Sequence, residues 1–245
     1  MSYIKFRGVS TASLSNVAVS KMPSHRKAAR RVTEYYVNGR DGALHVDNGL
    51  ANFELEAVLV LLQGTAAARQ IVNAWADGTG KLILSDQPGL AYRASVIQEI
   101  KWTRQLGNKL TIDNTATQTY YDTAKIIFNC EPYVYEATDT VLTFNASGSM
   151  TNPGSAEALP LIQVNGSGDV SFSIDGKQIQ IAGMTAGTPV YIDSETGYVY
   201  TAAGATTMTG DFPVIPMATP TKPTCAVTLG TGVTSLVITP HWRWV

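Results

Sequence analysis

The alternation of apolar and polar residues predicts β-strands through the first half of the chain. Phe53-Glu54-Leu55-Glu56 alternates and leads into the apolar run Val58 to Leu62, as expected of a strand that enters a core. Further short strands are predicted over Lys81 to Ser85, Tyr92 to Ile100 and Tyr121 to Cys130. The first half is therefore predicted to be mostly β-structure.

One helix is predicted in this half, directly after the strand break at Gly64. Thr65 can cap the free amide groups of a first helical turn, and Asp77-Gly78 ends the periodic pattern. The apolar residues between them share one helical face, at the spacing i, i+3, i+4 and i+7: Ala68, Ile71, Val72 and Trp75. We expect this whole face to pack against the core.

The second half contains two hairpin patterns. Val170–Ile174 and Lys177–Ile181 flank Asp175-Gly176, a dipeptide that accepts the positive φ angles of a type I′ turn. A two-residue loop sets Phe172 opposite Ile179, so that one face of the hairpin is almost wholly apolar. Val190 to Asp193 and Tyr198 to Thr201 form the second pattern. Short strands at this spacing predict a β-sandwich.

Charge and proline content divide the chain into two parts. Residues 1–130 hold 15 Lys/Arg and 10 Asp/Glu, a net charge of +5, whereas residues 131–245 hold 3 and 9, a net charge of −6. Nine of the eleven prolines lie in the second part. We therefore expect two domains, residues 1–134 and residues 138–245, separated near Cys130 to Thr140.

The sequence contains no recognisable catalytic, metal or cofactor pattern. His25, His45 and His241 have no neighbouring ligand at metal-binding spacing, and the sequence lacks nucleophile-elbow and phosphate-loop motifs. The two cysteines do not form a disulfide scaffold, and the amino-terminal residues do not form the apolar core of a signal peptide. We expect a non-enzymatic protein without cofactor, made in a reducing cytoplasm and without a membrane span.

A basic cluster precedes the first alternating strand, with no acidic residue before Glu34. Its members are Lys21, Arg26, Lys27, Arg30 and Arg31. Three interpretations stay open: a solvated basic loop, a contact with an acidic protein surface, or a nucleic-acid contact. The absence of aromatic residues before Tyr35 disfavours nucleic acid.

Aromatic residues in the second half leave a further alternative open. Trp242 and Trp244 lie on the same face of the last strand, where paired tryptophans are more often part of the core than a sugar platform. Exposed Tyr191, Tyr198 and Tyr200 would suit a carbohydrate-binding module that acts in host-surface adhesion. This is the alternative to a structural role.

A set of short motifs recurs in order over nearly the whole chain. They are Val37–Leu44, Ala67–Trp75, Leu84–Pro88, Tyr92–Ala94, Ala124–Pro132, Asn152–Pro160, Gly166–Asp169, Ile192–Ser194, Gly210–Pro213 and Pro240–Trp244. In this combination the chain resembles the distal tail (Dit) proteins of long, non-contractile phage tails.

This resemblance implies a mainly β-fold, with an amino-terminal β-domain that carries one helix and a carboxyl-terminal galectin-like sandwich. It implies a virion structural protein at the distal end of the tail, a homohexameric ring between the tail tube protein and the tail-tip hub protein or baseplate. DNA passes through such a ring without specific recognition, and receptor-binding or other peripheral tail proteins attach to it. The basic cluster and Arg40, in the first motif, are then expected to contact other proteins.

The chain departs from the family pattern in one region. Residues 201–209 are small and weakly polar where a more polar stretch is expected, which predicts different projecting loops. With 245 residues, the chain has no room for the carbohydrate-binding insertions of extended members, which argues against direct host binding.

Overall fold

The computed structural model describes residues 2–62, 64–112 and 115–245, and their side chains except at 108–112 and 115–119. The chain divides into two compact units, one that ends at Ala137 and one that spans Thr138–Trp244. The fold is mainly β with a single α-helix in the described residues, as the sequence predicts.

The first unit is built around an antiparallel sheet. Its strands are β1 (Ile4–Phe6), β2 (Val9–Ser10), β3 (Val17–Lys21), β4 (Arg30–Tyr36), β5 (Ala43–Leu50), β6 (Phe53–Leu62), β7 (Gly78–Leu84), β8 (Leu90–Val96), β9 (Lys101–Ile112) and β10 (Thr115–Glu136). The sheet order is β2-β1-β7-β8-β10-β6-β3, and β9 also pairs with β10. Strands β4 and β5 pair only with each other. Strand β10 includes the predicted strand Tyr121 to Cys130 and extends beyond both of its ends.

Helix α1 (Ala66–Trp75) begins where the sequence predicts. The Oγ1 atom of Thr65 accepts a hydrogen bond from Ala68 N at 3.2 Å, which satisfies one free amide of the first turn. Val72 and Trp75 are buried. The prediction that Ile71 faces the core is wrong, because its side chain is 55% exposed. The buried face of the helix is centred on Val72 and extends to Trp75 on one side and to Ala76 on the other. Ile71 lies just beyond Trp75 and therefore outside this face.

Three aromatic rings form the centre of the first core. Phe6, Trp75 and Phe128 meet edge to face, with ring centroids 5.3 to 6.4 Å apart, an arrangement that aromatic quadrupoles favour. The indole Nε1 of Trp75 donates to Val9 O at 2.9 Å. These contacts hold helix α1 against β1 and β10.

A fully buried carboxylate connects helix α1 to strands β9 and β10. Asp122 accepts from Arg104 Nε at 3.0 Å and from Arg69 Nε at 2.8 Å. Arg104 also donates to Gly64 O at 2.7 Å. The hydrogen bonds from Arg104 and Arg69 hold the pKa of Asp122 below its ordinary value, against the opposite effect of burial.

The second unit is a sandwich of two antiparallel sheets. Its strands are β11 (Leu142–Phe144), β12 (Gly148–Met150), β13 (Leu161–Gly166), β14 (Gly168–Ile174), β15 (Lys177–Met184), β16 (Val190–Asp193), β17 (Tyr198–Thr201), β18 (Gly204–Ala205), β19 (Cys225–Leu229) and β20 (Val233–Thr239). The unit also contains β21 (Arg243–Trp244), which lies in neither of its two sheets. The sheet orders are β11-β20-β13-β16-β17-β18 and β12-β19-β14-β15. One core joins them, with Ile162 and Ile192 from the first sheet and Phe172 and Ile179 from the second.

Both predicted hairpins of this unit are present. Phe172 pairs with Ile179, and Asp175 and Gly176 have φ angles of 55° and 79°, as a type I′ turn requires. Strands β16 and β17 coincide with the second predicted hairpin and pair with each other.

Both cysteines are buried free thiols, and we expect them to react with a thiol reagent only after denaturation. Burial raises the pKa of Cys130 to about 12 and that of Cys225 to about 11, so the reactive thiolate is scarce at neutral pH. Labelling with a chromogenic disulfide reagent, with and without guanidinium chloride, measures this difference. Prompt stoichiometric labelling of the native protein, or an intramolecular disulfide in mass spectra, would contradict the prediction.

Candidate functional site

The basic residues singled out in the sequence follow one continuous segment that leads into β4. Lys21 ends β3, Arg26 and Lys27 lie in the connection, Arg30 and Arg31 begin β4, and Arg40 lies in the turn after it. All six side chains are exposed. The six side chains are therefore distributed along this segment and the turn that follows β4.

Three of these cations have partners within the chain. Lys21 Nζ lies 3.3 Å from Glu56 Oε1, Arg30 pairs with Asp47, and Arg31 Nη2 donates to Asn48 O at 2.8 Å. The side chains of the remaining three form no hydrogen bond or ion pair with any residue that the structure describes: Arg26, Lys27 and Arg40. The first group is engaged within the chain, and the second is available to another molecule.

The connection before β4 is anchored to the first unit through His25. Its Nε2 atom lies 2.6 Å from Asp86 Oδ2, and its Nδ1 atom lies 3.1 Å from the hydroxyl of Tyr92. The hydrogen bond with His25 lowers the pKa of Asp86. Ala51 N donates to Ala29 O at 2.8 Å and closes the base of the β4–β5 pair. The segment is thus fixed at its base.

Strands β4 and β5 form a two-stranded ribbon that no other described strand extends. Tyr35 pairs with Leu44, Thr33 with Val46, and Glu34 with His45. The turn between them contains Gly39 and Gly42 at φ angles of 80° and 78°, which non-glycine residues rarely adopt. Both outer edges of the ribbon therefore present backbone groups without strand partners in the described chain.

One face of this ribbon carries its charged side chains, together with the exposed Val32 and Tyr36. His45 Nδ1 lies 3.5 Å from Glu34 Oε1, and the hydroxyl of Tyr36 donates to Glu34 Oε2 at 2.9 Å. Asp47, on the same face, forms an ion pair with Arg30. These side chains already have partners, so this face has little need of a further one.

The other face of the ribbon is mostly apolar and exposed, with Thr33 as a polar member opposite Val46. Tyr35, Leu44 and Val46 lie side by side and are 56%, 41% and 46% exposed. Val37 follows with the same parity and is also exposed. Because an isolated two-stranded hairpin is marginally stable in water, and because its apolar side chains gain by burial, this face has the character of a contact surface.

The ribbon is not among the elements predicted from the sequence. Neither face is buried within the chain, and strict alternation of apolar and polar residues is confined to the four residues Leu44-His45-Val46-Asp47. The available signal was Asn38-Gly39 and Asp41-Gly42 between segments rich in β-branched and aromatic residues, a pattern typical of a hairpin turn.

The solved structures include one that matches this fold over both complete chains. It is the crystal structure of the Dit protein of phage SPP1, described as a paradigm of the hub adsorption apparatus in phages that infect Gram-positive bacteria. The TM-score is 0.71, with 14% sequence identity and coverage of 100% of each chain. The chain has the Dit fold. At this identity the likeness concerns the fold alone.

Two baseplate structures of phage p2 also match the Dit-fold chain, in the activated conformation with Ca and with Sr. Their TM-scores are 0.47 and 0.46, with 9% and 10% identity and 97% coverage of each chain. No family model and no curated protein matches the sequence.

The described part of this Dit-fold chain has few features of other functional classes. It contains no group of three or more His, Cys, Asp or Glu side chains able to hold a metal ion. None of its described helices has the length and apolar character needed to cross a membrane. Trp242 is buried in the sandwich core, and Trp244 packs against that core, as the core interpretation of these residues predicts.

Proposed function

We propose that the protein is the distal tail hub of a long, non-contractile phage tail and acts as a virion structural protein without catalysis. In this role it joins the tail tube protein to the tail-tip hub protein or baseplate, and DNA passes through it without specific contacts. The observation that carries the proposal is the exposed apolar face of the β4–β5 ribbon in a chain with the Dit fold.

The proposed contact of the ribbon is with a second copy of the chain. Contact between two different surfaces of identical chains closes into a ring when the rotation is correct. We propose a homohexameric ring, in keeping with the family resemblance. The galectin-like second unit is then the attachment point for receptor-binding and other peripheral tail proteins.

The three unpartnered cations are proposed to contact acidic protein surfaces around the ring. Arg26, Lys27 and Arg40 belong to a segment with net positive charge, and residues 131–245 carry −6. Complementary charge of this kind speeds association and selects partners more than it adds affinity. Salt should therefore slow assembly while the apolar face maintains the final affinity.

Light scattering on the purified chain tests the ring. Six chains of 26.2 kDa give about 157 kDa, and we expect a species near this mass. Val46→Lys places a charge on the apolar face of the ribbon and is expected to leave monomers. Val32→Lys is the matched control, because Val32 is equally exposed, at 46%, but lies on the polar face.

Two results would contradict the proposal. A wild-type protein that stays monomeric at high concentration and is absent from the tail tip in labelled micrographs would exclude the hub. A ring that tolerates Val46→Lys as well as Val32→Lys would exclude the apolar face as its contact. Circular dichroism on both variants shows that each has folded.

A further inference from the structure

The chain contains three Asn-Gly pairs: Asn38-Gly39, Asn48-Gly49 and Asn165-Gly166. The side-chain amide of an asparagine is open to attack by the backbone nitrogen of the next residue, and glycine favours this attack because it has no Cβ atom to obstruct it. The reaction needs a backbone amide without a hydrogen bond and a side chain that is free to turn toward it. The structure meets these two conditions differently at each pair.

The pair Asn165-Gly166 is held in the interior of a sheet. It ends β13, which lies between β16 and β20. Asn165 Oδ1 accepts from Gln163 Nε2 at 3.1 Å, and Asn165 Nδ2 donates to Ser235 Oγ at 3.0 Å. A turn of the amide toward the backbone breaks both hydrogen bonds, so we expect this pair to be stable.

The pair Asn48-Gly49 lies in β5, near the base of the ribbon. Gly49 N donates to Asp47 Oδ1 at 2.9 Å, so the proton that has to leave is bound to a carboxylate, whose negative charge also opposes ionisation of the amide. Asn48 Nδ2 donates to Thr33 Oγ1 at 2.6 Å. Both reacting groups are therefore engaged, and the need to break these hydrogen bonds first slows the reaction about tenfold or more.

The pair Asn38-Gly39 lies at the tip of the ribbon and is exposed. The two residues are the centre of a β-turn that Arg40 N closes by donating to Val37 O at 3.1 Å. Gly39 has a φ angle of 80°, and the amide of the third residue of such a turn takes no part in the closing hydrogen bond. Neither Gly39 N nor the side chain of Asn38 forms a hydrogen bond with any residue that the structure describes. The nucleophile and its target are thus both free.

We propose that Asn38 is a site of spontaneous deamidation in the folded protein and that the fold protects the other two pairs. The Gly39 amide loses its proton to a base in the solvent, and its nitrogen forms a bond to Asn38 Cγ. The bond from Cγ to Nδ2 then breaks, and Nδ2 takes up a proton and leaves as ammonia. Water opens the resulting succinimide ring at either of its carbonyl carbons, which gives aspartate or isoaspartate at position 38.

The modification changes the tip of the ribbon in two ways. The new carboxylate adds a negative charge close to the unpartnered Arg40, and isoaspartate inserts an extra carbon atom into the main chain of the turn between β4 and β5. A further consequence rests on the proposed hub function: a ring contact that covers the ribbon slows the reaction. Unassembled chains are then modified faster than assembled ones.

The test is peptide mapping by mass spectrometry of the full chain during incubation in a mildly alkaline buffer, with and without guanidinium chloride. In the native protein, Asn38 is expected to deamidate at least about tenfold faster than Asn48 and Asn165, because the latter two must first lose their hydrogen bonds. In guanidinium chloride the three rates are expected to converge, because glycine follows each asparagine. Asn38→Gln is the matched variant, since it keeps an amide at this place but needs a less favourable six-membered ring, and is expected to stay unmodified there.

Two outcomes would overturn the site: Asn38 stays intact in the native protein while the denatured chain reacts at all three pairs, or Asn48 and Asn165 react as fast as Asn38 in the native protein. The same mapping on Val46→Lys, the expected monomer, separates this test from that of the hub, because Asn38 reacts in that variant whether or not the wild type forms a ring. Equal rates in Val46→Lys and in a wild type shown by light scattering to be a ring would contradict protection by assembly.

Discussion

Asp122→Asn is expected to lower the free energy of unfolding of the first unit by about 2–3 kcal/mol. The side chain is fully buried and accepts hydrogen bonds from Arg69 of helix α1 and Arg104 of β9. An amide keeps the shape but loses the charge, and its NH₂ group faces a guanidinium donor. Both arginines are partly exposed, at 33% and 50%, so water can hydrate them after the substitution. The expected loss of unfolding free energy is therefore smaller than for a fully buried ion pair. Urea denaturation monitored by tryptophan fluorescence measures it.

Glu56→Gln is the matched control for this variant. Glu56 also lies between two cations on the sheet, Lys21 and Lys125, but all three side chains are solvent-accessible. Surface ion pairs contribute little to stability, so we expect almost no change in the denaturation midpoint. Equal effects of the two substitutions would show that burial of Asp122 does not govern its contribution.

Gly64→Ala tests the same cluster by steric means. A Cβ atom at position 64 would lie 1.8 Å from Asp122 Oδ2, so the carboxylate has to leave its place between the arginines. Gly89→Ala is the control, because a Cβ atom there has no neighbour within 4 Å. We expect the first variant to approach the instability of Asp122→Asn and the second to match the wild type.

The pH dependence of stability follows from the same carboxylate. The pKa of Asp122 is lowered in the folded protein, so its contribution is present above the ordinary value of 3.8 and is lost as the pH falls through the folded value. Below about pH 4 the wild type should therefore lose stability more steeply than Asp122→Asn. Parallel curves of unfolding free energy against pH would contradict this assignment.

Phe128→Ala and Phe172→Ala are expected to destabilise one unit each, by about 3–5 kcal/mol. Phe128 is buried among the aromatic rings of the first core, and Phe172 lies in the core shared by the two sheets of the second unit. Removal of either ring leaves a cavity that neighbouring side chains fill only in part. We propose that the units unfold independently, so scanning calorimetry should show one transition lowered in each variant and the other unchanged.

A fragment of residues 138–245 provides the complementary measurement. It contains the whole sandwich core and is expected to fold alone with a cooperative transition, which Phe172→Ala lowers. Aggregation of the fragment, or a single transition that both substitutions lower equally in the full chain, would show that the units depend on each other for stability.

Local patterns alone were enough to predict several elements. Thr65 and the following apolar spacing located helix α1, and Asp175-Gly176 located the turn and the register of β14 and β15. These predictions succeed because a cap or a two-residue turn is a property of neighbouring residues, and because one face of each element is buried. The deep burial of Cys130 follows for the same reason, from its place in the alternating register of Ala124, Ile126 and Phe128.

Features that depend on contacts between residues far apart along the chain could not be predicted from the sequence. Asp122 shares the buried parity of β10, but its partners Arg69 and Arg104 are 53 and 18 residues away, and no pattern along the chain indicates that they meet. The β4–β5 ribbon was not predicted because the chain itself buries neither of its faces, and its alternation is confined to Leu44-His45-Val46-Asp47. Local sequence thus determined the caps, turns and inward faces of this protein. The tertiary structure alone decided which charges meet in its interior and which apolar face is left for another molecule, because both depend on where distant segments of the chain come to lie.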